Sequence, residues 1–306
     1  MQTITLGTSS LSASRLAYGC WRLNGAPEFR AAGKQAVVTA YETGCTIFDH
    51  ADIYGQGEGE KIFGEVLRGM PGMRERILIV TKAGVCRADD PPGSPYHYNL
   101  SGEHIIQSCE GSLQRLGVEA VDLFLLHRAD WLVDPADVAG AFAKLKQSGK
   151  VRFFGVSNCR PSLVSALQAA CPMPLVAHQV EISLGQLAAF EDGTLDQCVA
   201  AKMTPMAWSP LGGGQFAGGA RRLLKYQEGY RTDDVLPLLD EYAQARGVTR
   251  AAVALAWLLK HPSGIVPIVG STHPQRVREA VRAAEINLSR EEWYRLLAAA
   301  RDEPLP

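Results

Sequence analysis

Eight short apolar runs recur along the chain, and most are followed by residues whose apolar positions repeat as they do on one face of a helix. The runs predict β-strands at 16–20, 46–49, 77–82, 122–127, 151–157, 175–180, 203–208 and 264–269. Eight strands alternating with helices predict an α/β protein, a (β/α)8 TIM barrel formed as one domain by residues 1–306. Alternating residues at 3–6, before Gly7, predict a short N-terminal β-hairpin, and extra helices follow the last strand.

The helix after the fourth strand shows both of its ends in the sequence. Asp134 is placed as the N-cap, Pro135 fits the first helical position, and Gly149 stands past the end. The preceding helix has the same apolar spacing and is expected to stop at Gly117. These signals support the alternation of strands and helices.

Polar side chains stand where the second, third and fourth predicted strands end: Asp49 and Tyr54, Lys82, and His127. A free tyrosine has a pKa of about 10, and a neighbouring ammonium group lowers it by stabilising the phenolate. The sequence therefore predicts that Tyr54 donates a proton to a carbonyl oxygen and that Lys82 lowers the pKa of Tyr54. Asp49 would pair with Lys82, and His127 would orient the carbonyl group.

Four motifs, in this order, resemble the aldo-keto reductase superfamily: DHADIYG at 49–55, TK at 81–82, LLH at 125–127 and GVSN at 155–158. The runs LLHRAD at 125–130 and AWSPLGGG at 207–214 are similar to those of a bacterial oxidoreductase-type subgroup. The resemblance extends from about Arg15 to about Ala284. It implies reduction of aldehydes or ketones to alcohols by hydride transfer from NADPH.

The resemblance also assigns a nicotinamide site at later strand ends. Ser157, Asn158 and Gln179 carry donors and acceptors that can fix a carboxamide, and Trp208 offers an aromatic face to the ring. Tyrosine is commoner in the family at the position of Trp208. The glycine-rich segment that follows resembles the family's cofactor-covering segment, from which Ser209, Leu211 and Gly213 are predicted contacts.

The eighth strand is followed by STHPQR at 271–276, where Pro274 fits the first turn of a helix whose N-terminus would attract a phosphate. This resembles the family's site for the adenosine 2′-phosphate and favours NADPH (NADP+ when oxidised) over NADH. Gly270 departs from the lysine that many members have at that position. The predicted contacts are Ser271, Thr272, Arg276 and, facing adenine, Glu279.

Aromatic residues near three strand ends predict a substrate pocket for a small-molecule carbonyl compound. Trp21 follows the first strand, Tyr96 lies in the Pro-rich loop 91–99 after the third, and Trp131 follows the fourth. The pattern favours apolar or aromatic carbonyl substrates.

Composition and charge argue against several classes of partner and location. A net charge of −1 and a pI of about 6.7 give no general attraction to nucleic acid or to an anionic membrane. There is no apolar run of 18 residues and no signal-peptide pattern, which predicts a cytoplasmic protein. The seven cysteines are scattered singly, which is typical of reduced thiols. We expect a monomer or a weak homo-oligomer.

The strand-end residues allow three other interpretations. A metal-dependent hydrolase would need paired histidines that the sequence lacks, so no metal is expected. A glycosidase would use Asp49 and Asp52 as its carboxylate pair, but these are close in sequence. A non-catalytic NADPH-binding regulatory subunit, as in some channel-associated relatives of the family, is the main alternative. The short segment before the first strand argues against it.

Overall fold

Twelve strands and eleven α-helices are present in a computed structural model that describes residues 1–23, 27–219, 223–301 and 304–305. The strands are β1 (Thr3–Thr5), β2 (Ser12–Ser14), β3 (Ala17–Gly19), β4 (Ile47–Asp49), β5 (Leu78–Ala83), β6 (Val85–Cys86), β7 (His97–Tyr98), β8 (Val121–Leu126), β9 (Val151–Ser157), β10 (Leu175–Glu181), β11 (Thr204–Trp208) and β12 (Val266–Val269). The α-helices are α1 (Pro27–Glu42), α2 (Glu58–Gly69), α3 (Gly102–Leu116), α4 (Pro135–Gln147), α5 (Pro161–Ala170), α6 (Ala188–Glu191), α7 (Thr194–Ala200), α8 (Val235–Arg246), α9 (Arg250–Leu259), α10 (Pro274–Val281) and α11 (Arg290–Ala300). Short 3-10 turns lie at Tyr54–Gly57, Arg74–Arg76, Gly212–Ala217, Lys225–Gly229 and Arg282–Glu285.

Eight of the strands form a closed parallel barrel in the order β3-β4-β5-β8-β9-β10-β11-β12, with β12 pairing back to β3. In the register, Gly19 lies beside Asp49 and Ala17 beside Ile268. These are the eight strands predicted from the apolar runs, so the predicted (β/α)8 barrel is confirmed. Because all eight strands run the same way, their C-terminal ends meet at one rim.

The N-terminal hairpin is formed by β1 and β2 and packs on the opposite end of the barrel. Its Leu6 and Leu11 are buried in one apolar cluster with interior residues of several barrel strands. The amide N–H of Gly7 donates to Oγ1 of Thr204 over 2.8 Å, and a Cβ at Gly7 would lie 2.4 Å from the carbonyl oxygen of Val176. Glycine is therefore required for this close approach. The pairing of β1 with β2 confirms the predicted hairpin.

Helix ends follow the local signals. Oδ1 of Asp134 accepts a hydrogen bond from the N–H of Ala136 over 2.8 Å, Pro135 opens α4, and Gly149 adopts a φ of 73° past its end. Gly117 ends α3 with a φ of 69°. Within the described ranges, no helix is both long and apolar enough to cross a membrane.

Candidate active site

Lys82 lies at the centre of the polar cluster at the C-terminal rim. Its side chain is fully buried in β5, and its Nζ donates to Oδ2 of Asp49 (2.9 Å), to the carbonyl oxygen of His50 (2.6 Å) and to the hydroxyl of Tyr54 (3.1 Å). An ammonium group has three donors, and these three acceptors use all of them. The lysine is therefore held in one position, with the phenol of Tyr54 beside it.

The second carboxylate oxygen of Asp49 is also occupied. Oδ1 accepts a hydrogen bond from Nε2 of Gln179 on β10 over 2.8 Å, and Asp49 is only 3% exposed. A buried charge is tolerated when it is paired and its remaining lone pairs are satisfied. The predicted pairing of Asp49 with Lys82 matches this geometry, whereas the bond from Gln179 was not foreseen.

The environment of Tyr54 differs from the sequence prediction in one respect. Burial raises the pKa of Tyr54 above its ordinary value, and the charge of Lys82 offsets only part of that increase. Burial opposes the charge on Lys82 as well, but Asp49 and Tyr54 raise the pKa of Lys82 above its usual range. The tyrosine is thus protonated and the lysine charged at neutral pH. The expected lowering effect of Lys82 is present, but the net direction for Tyr54 is upward.

His127 follows β8 directly and faces Tyr54, with the ring centroids 5.9 Å apart in an edge-to-face arrangement. Burial, Lys82 and Arg128 hold the pKa of His127 well below its ordinary range. The imidazole is therefore neutral at physiological pH. A neutral imidazole keeps one N–H that can donate to a substrate oxygen.

Two further carboxyl groups lie behind this cluster. Glu60 on α2 is completely buried and accepts hydrogen bonds from Oγ1 of Thr81 (2.6 Å) and Nε of Arg115 (2.7 Å). Burial and the nearby Glu60 raise the pKa of Asp52 to about 7. Glu60 thereby connects α2, α3 and β5 under the site. This role of Glu60 was not predicted, since an acidic residue in an amphipathic helix normally indicates a solvated face.

The predicted nicotinamide residues form a connected group on β9, β10 and β11. Nδ2 of Asn158 donates to Oγ of Ser157 (2.7 Å) and to the carbonyl oxygen of His127 (3.1 Å). Oδ1 of Asn158 accepts from Nε1 of Trp208 over 2.9 Å, and Asn158 has a φ of 53°. Asn158 thus holds Trp208 and the Ser157 hydroxyl next to the polar cluster around Lys82, where Gln179 also lies.

The segment after β11 is shaped by its glycines. Ser209 adopts a φ of 47°, Leu211 packs into the apolar cluster around Phe216, and Gly213 adopts a φ of 69°. A Cβ at Gly213 would lie 2.7 Å from Cδ2 of Leu223. This position therefore favours glycine on two grounds, its backbone angle and its packing.

The predicted phosphate residues surround the start of α10. Pro274 is its first residue, Arg276 is exposed one turn in, and Oε1 of Glu279 accepts from Nε2 of Gln275 over 3.1 Å. Nη1 of Arg22 donates to the carbonyl oxygen of Gly270 over 2.9 Å. A second cation thus lies beside the position where the sequence lacks the family's lysine. Ser271 and Thr272 form the short connection from β12 to α10 and are half-buried.

The predicted pocket aromatics lie on three separate loops of the same rim. Trp21 is 47% exposed, Tyr96 is 56% exposed and packs edge-to-face on Tyr98, and Trp131 is 84% exposed under the guanidinium of Arg160. Among the described residues, no ring contact joins these three aromatics to Tyr54. They border the site rather than line its floor.

Arg128 and Glu181 are two further charged groups at the rim, and neither had a predicted role. Arg128 follows His127, and its guanidinium lies 5.6 Å from the centre of the Trp208 ring. The carboxylate of Glu181 accepts hydrogen bonds from Tyr226 (2.5 Å), Gln227 (2.7 Å) and Tyr230 (2.9 Å). The sequence signals that could have identified them are the position of Arg128 directly after His127 and that of Glu181 at the end of β10.

Comparison with known proteins gives consistent matches over nearly the full length. The chain is 38% identical to a 6-dehydroglucose reductase from Novosphingobium aromaticivorans, covering 98% of this chain and 96% of that protein. It is 39% identical to the oxidoreductase YdhF of Escherichia coli over the full length of both. A thermostable aldo-keto reductase solved with the inhibitor epalrestat superposes with a TM-score of 0.82 at 26% identity, covering 98% of this chain and 100% of that one. Since residues 15–301 also match the model of the aldo/keto reductase family, the chain belongs to that family of oxidoreductases.

Proposed function

We propose that the protein reduces aldehydes or ketones to alcohols with NADPH, with Tyr54 as the proton donor. The observation that carries this proposal is the position of Lys82, whose Nζ donates both to the half-buried Tyr54 hydroxyl and to the buried Asp49 carboxylate. An acid beside a fixed cation is suited to a reaction in which an oxygen gains negative charge and then a proton.

Each side chain has one task in the proposed reaction. NADPH, when bound, supplies the hydride to the carbonyl carbon. Tyr54 is protonated at neutral pH and delivers its proton to the carbonyl oxygen as negative charge develops there. Lys82 then stabilises the phenolate that remains, and Asp49 keeps Lys82 charged. His127, neutral in this environment, donates a hydrogen bond that orients the carbonyl.

The polar groups near Trp208 fit a carboxamide. Gln179 uses Nε2 for Asp49, and its Oε1 accepts no hydrogen bond from the described residues. The hydroxyl of Ser157 accepts from Asn158 and retains its own proton for donation. One free acceptor and one free donor are what a carboxamide needs, and Trp208 would cover the ring. We propose that Asn158 also contributes to the nicotinamide site, because its hydrogen bonds position Ser157 and Trp208.

The α10 end of the site supports NADPH over NADH. Arg276 is exposed at a helix N-terminus and forms no ion pair within the part of the chain that the structure describes. A guanidinium group at such a position suits a dianionic phosphate. Ser271, Thr272 and Glu279 complete the proposed adenosine side, and Ser209, Leu211 and Gly213 the proposed pyrophosphate side.

The substrate is proposed to enter between the rim aromatics Trp21, Tyr96 and Trp131. Their exposed rings favour carbonyl compounds with an apolar or aromatic part. The name of the Novosphingobium relative points instead to an oxidised sugar, so both kinds of aldehyde belong in a first panel.

We also propose one domain over residues 1–306, a cytoplasmic location, and a monomer or weak homo-oligomer.

The test is a fluorescence titration of the purified protein with NADPH and, in parallel, with NADH. A reactive aromatic aldehyde is then added while the absorbance of the reduced nicotinamide is followed. Tight NADPH binding with loss of that absorbance supports the reductase. Tight binding without turnover over a broad carbonyl panel would favour the non-catalytic regulatory subunit, and no binding of either nucleotide would contradict both.

A further inference from the structure

Arg128 is a half-buried cation at the rim that carries the proposed site. It follows His127 at the end of β8, and its guanidinium lies 5.6 Å from the ring centre of Trp208. Burial and Lys82 act first on the pKa values of Tyr54 and His127, and the positive charge of Arg128 also lowers both. These relationships locate the cation at the mouth of the site, close to the proposed acid and its neighbouring imidazole.

No acceptor from the described residues engages this guanidinium. Arg128 forms neither a hydrogen bond nor an ion pair with them. A guanidinium group carries five N–H donors, and at this half-buried position those of Arg128 are open to an acceptor from outside the chain.

Three rim carboxylates accept hydrogen bonds from groups other than Arg128. The two carboxylate oxygens of Asp130 accept the backbone N–H groups of Leu100 and Leu132, each over 2.9 Å. Glu181 is occupied by its three side-chain donors, and Asp49 is occupied by Lys82 and Gln179. Asp49 balances Lys82, and Asp130 and Glu181 accept only uncharged donors from the described residues, so none of these carboxylates forms an ion pair with Arg128.

We propose that Arg128 binds an anionic group of the substrate, so that the site prefers carbonyl compounds carrying a carboxylate or similar oxyanion beyond the reacting carbonyl. The inference rests on the proposed carbonyl reduction and names the substrate class for that same site. The planar fork of a guanidinium matches two carboxylate oxygens, which gives orientation as well as charge recognition.

The test compares 4-carboxybenzaldehyde with its methyl ester, because the two share a ring and a reacting aldehyde and differ in charge. The ratio of their kcat/KM values is measured with NADPH for the unchanged protein and for Arg128→Met. We expect the unchanged protein to prefer the carboxylate at least tenfold, and Arg128→Met to reduce that ratio at least tenfold, chiefly through KM. Arg128→Lys should retain part of the preference, since it keeps the charge without the fork.

The matched control is Arg160→Met, which removes the rim guanidinium over Trp131 and should leave the ratio unchanged. Reduction of both aldehydes with equal kcat/KM would overturn the inference alone. A loss on neutral D-glyceraldehyde as large as that on the carboxylate would also overturn it, because Arg128 would then recognise hydroxyl groups. No NADPH oxidation with any of these aldehydes would remove the proposed function and the inference together.

Discussion

Nε2 of Gln179 donates to Oδ1 of Asp49 over 2.8 Å, and this bond joins the proposed cofactor side of the site to its proposed catalytic side. The other oxygen of the same carboxylate accepts from Lys82 over 2.9 Å. The position of Lys82, and through it that of Tyr54, thus depends on a side chain from three strands further round the barrel. A substitution on the proposed cofactor side should therefore alter the geometry of the proposed catalytic side, and the reverse.

Lys82→Met should destabilise the fold strongly, because it leaves the carboxylate of Asp49 buried without its counter-charge. Breaking a buried ion pair costs about 3–5 kcal/mol of the free energy of unfolding. Urea unfolding monitored by circular dichroism measures this loss. The control Lys144→Met, at an exposed position on α4, should change stability by no more than about 0.5 kcal/mol. Adding Asp49→Asn to Lys82→Met should recover part of the loss, and no recovery would contradict the assigned cause.

Arg276→Ala should weaken NADPH binding by about 1–3 kcal/mol, the range for a charge-assisted hydrogen bond, and leave NADH binding almost unchanged. Fluorescence titration with each nucleotide measures the two dissociation constants. Arg278→Ala provides the control, since Arg278 is exposed on the same helix and has no predicted contact with the phosphate. Equal losses for the two nucleotides would place Arg276 away from the 2′-phosphate.

The pH dependence of carbonyl reduction follows from the direction of the Tyr54 shift. Burial raises the pKa of Tyr54 and Lys82 offsets only part of the increase, so the proton-donating form predominates at neutral pH. We expect kcat/KM for an aldehyde to stay level between about pH 7 and 9 and to fall only above about pH 10, the value for free tyrosine. A steady decline with a midpoint near neutrality would mean that Lys82 outweighs burial.

His178 predicts how stability changes in acid. Burial lowers the pKa of His178 to about 4, so between pH 4 and about 6.5 the unfolded chain binds more protons than the folded one. Stability therefore falls as the pH falls through that window, by up to about 3 kcal/mol from this residue. The slope of unfolding free energy against pH should be smaller in His178→Gln. An unchanged slope would assign the acid sensitivity to other groups.

The barrel could be predicted from the sequence because periodicity and helix-end chemistry act locally. All eight barrel strands were placed within a few residues, and the ends of α4 follow from Asp134, Pro135 and Gly149. Strand ends in a parallel barrel meet at one rim, which is why the group around Lys82 could be assembled before its geometry was known. The motifs thus predicted which side chains lie next to one another at the rim.

The pKa shifts and the long-range hydrogen bonds of these side chains could not be predicted in the same way. The net direction of the Tyr54 shift depends on how completely the phenol is buried, and burial is a property of the whole fold. The bond from Gln179 to Asp49 spans 130 residues, and the full burial of Glu60 depends on Arg115 from another helix. Arg128 has no acceptor among the residues that the structure describes except the Trp208 ring, and no local sequence pattern predicts such a property.

Tyr54→Phe tests whether Tyr54 is the proton donor in NADPH-dependent carbonyl reduction. The variant removes one hydroxyl and keeps the ring that packs against His127. NADPH affinity is measured by fluorescence titration, and turnover of an aromatic aldehyde by the absorbance of the reduced nicotinamide. We predict unchanged affinity and a loss of turnover by about two to four powers of ten, the contribution of a positioned general acid. Nearly full activity in Tyr54→Phe would show that another group supplies the proton and would contradict the account.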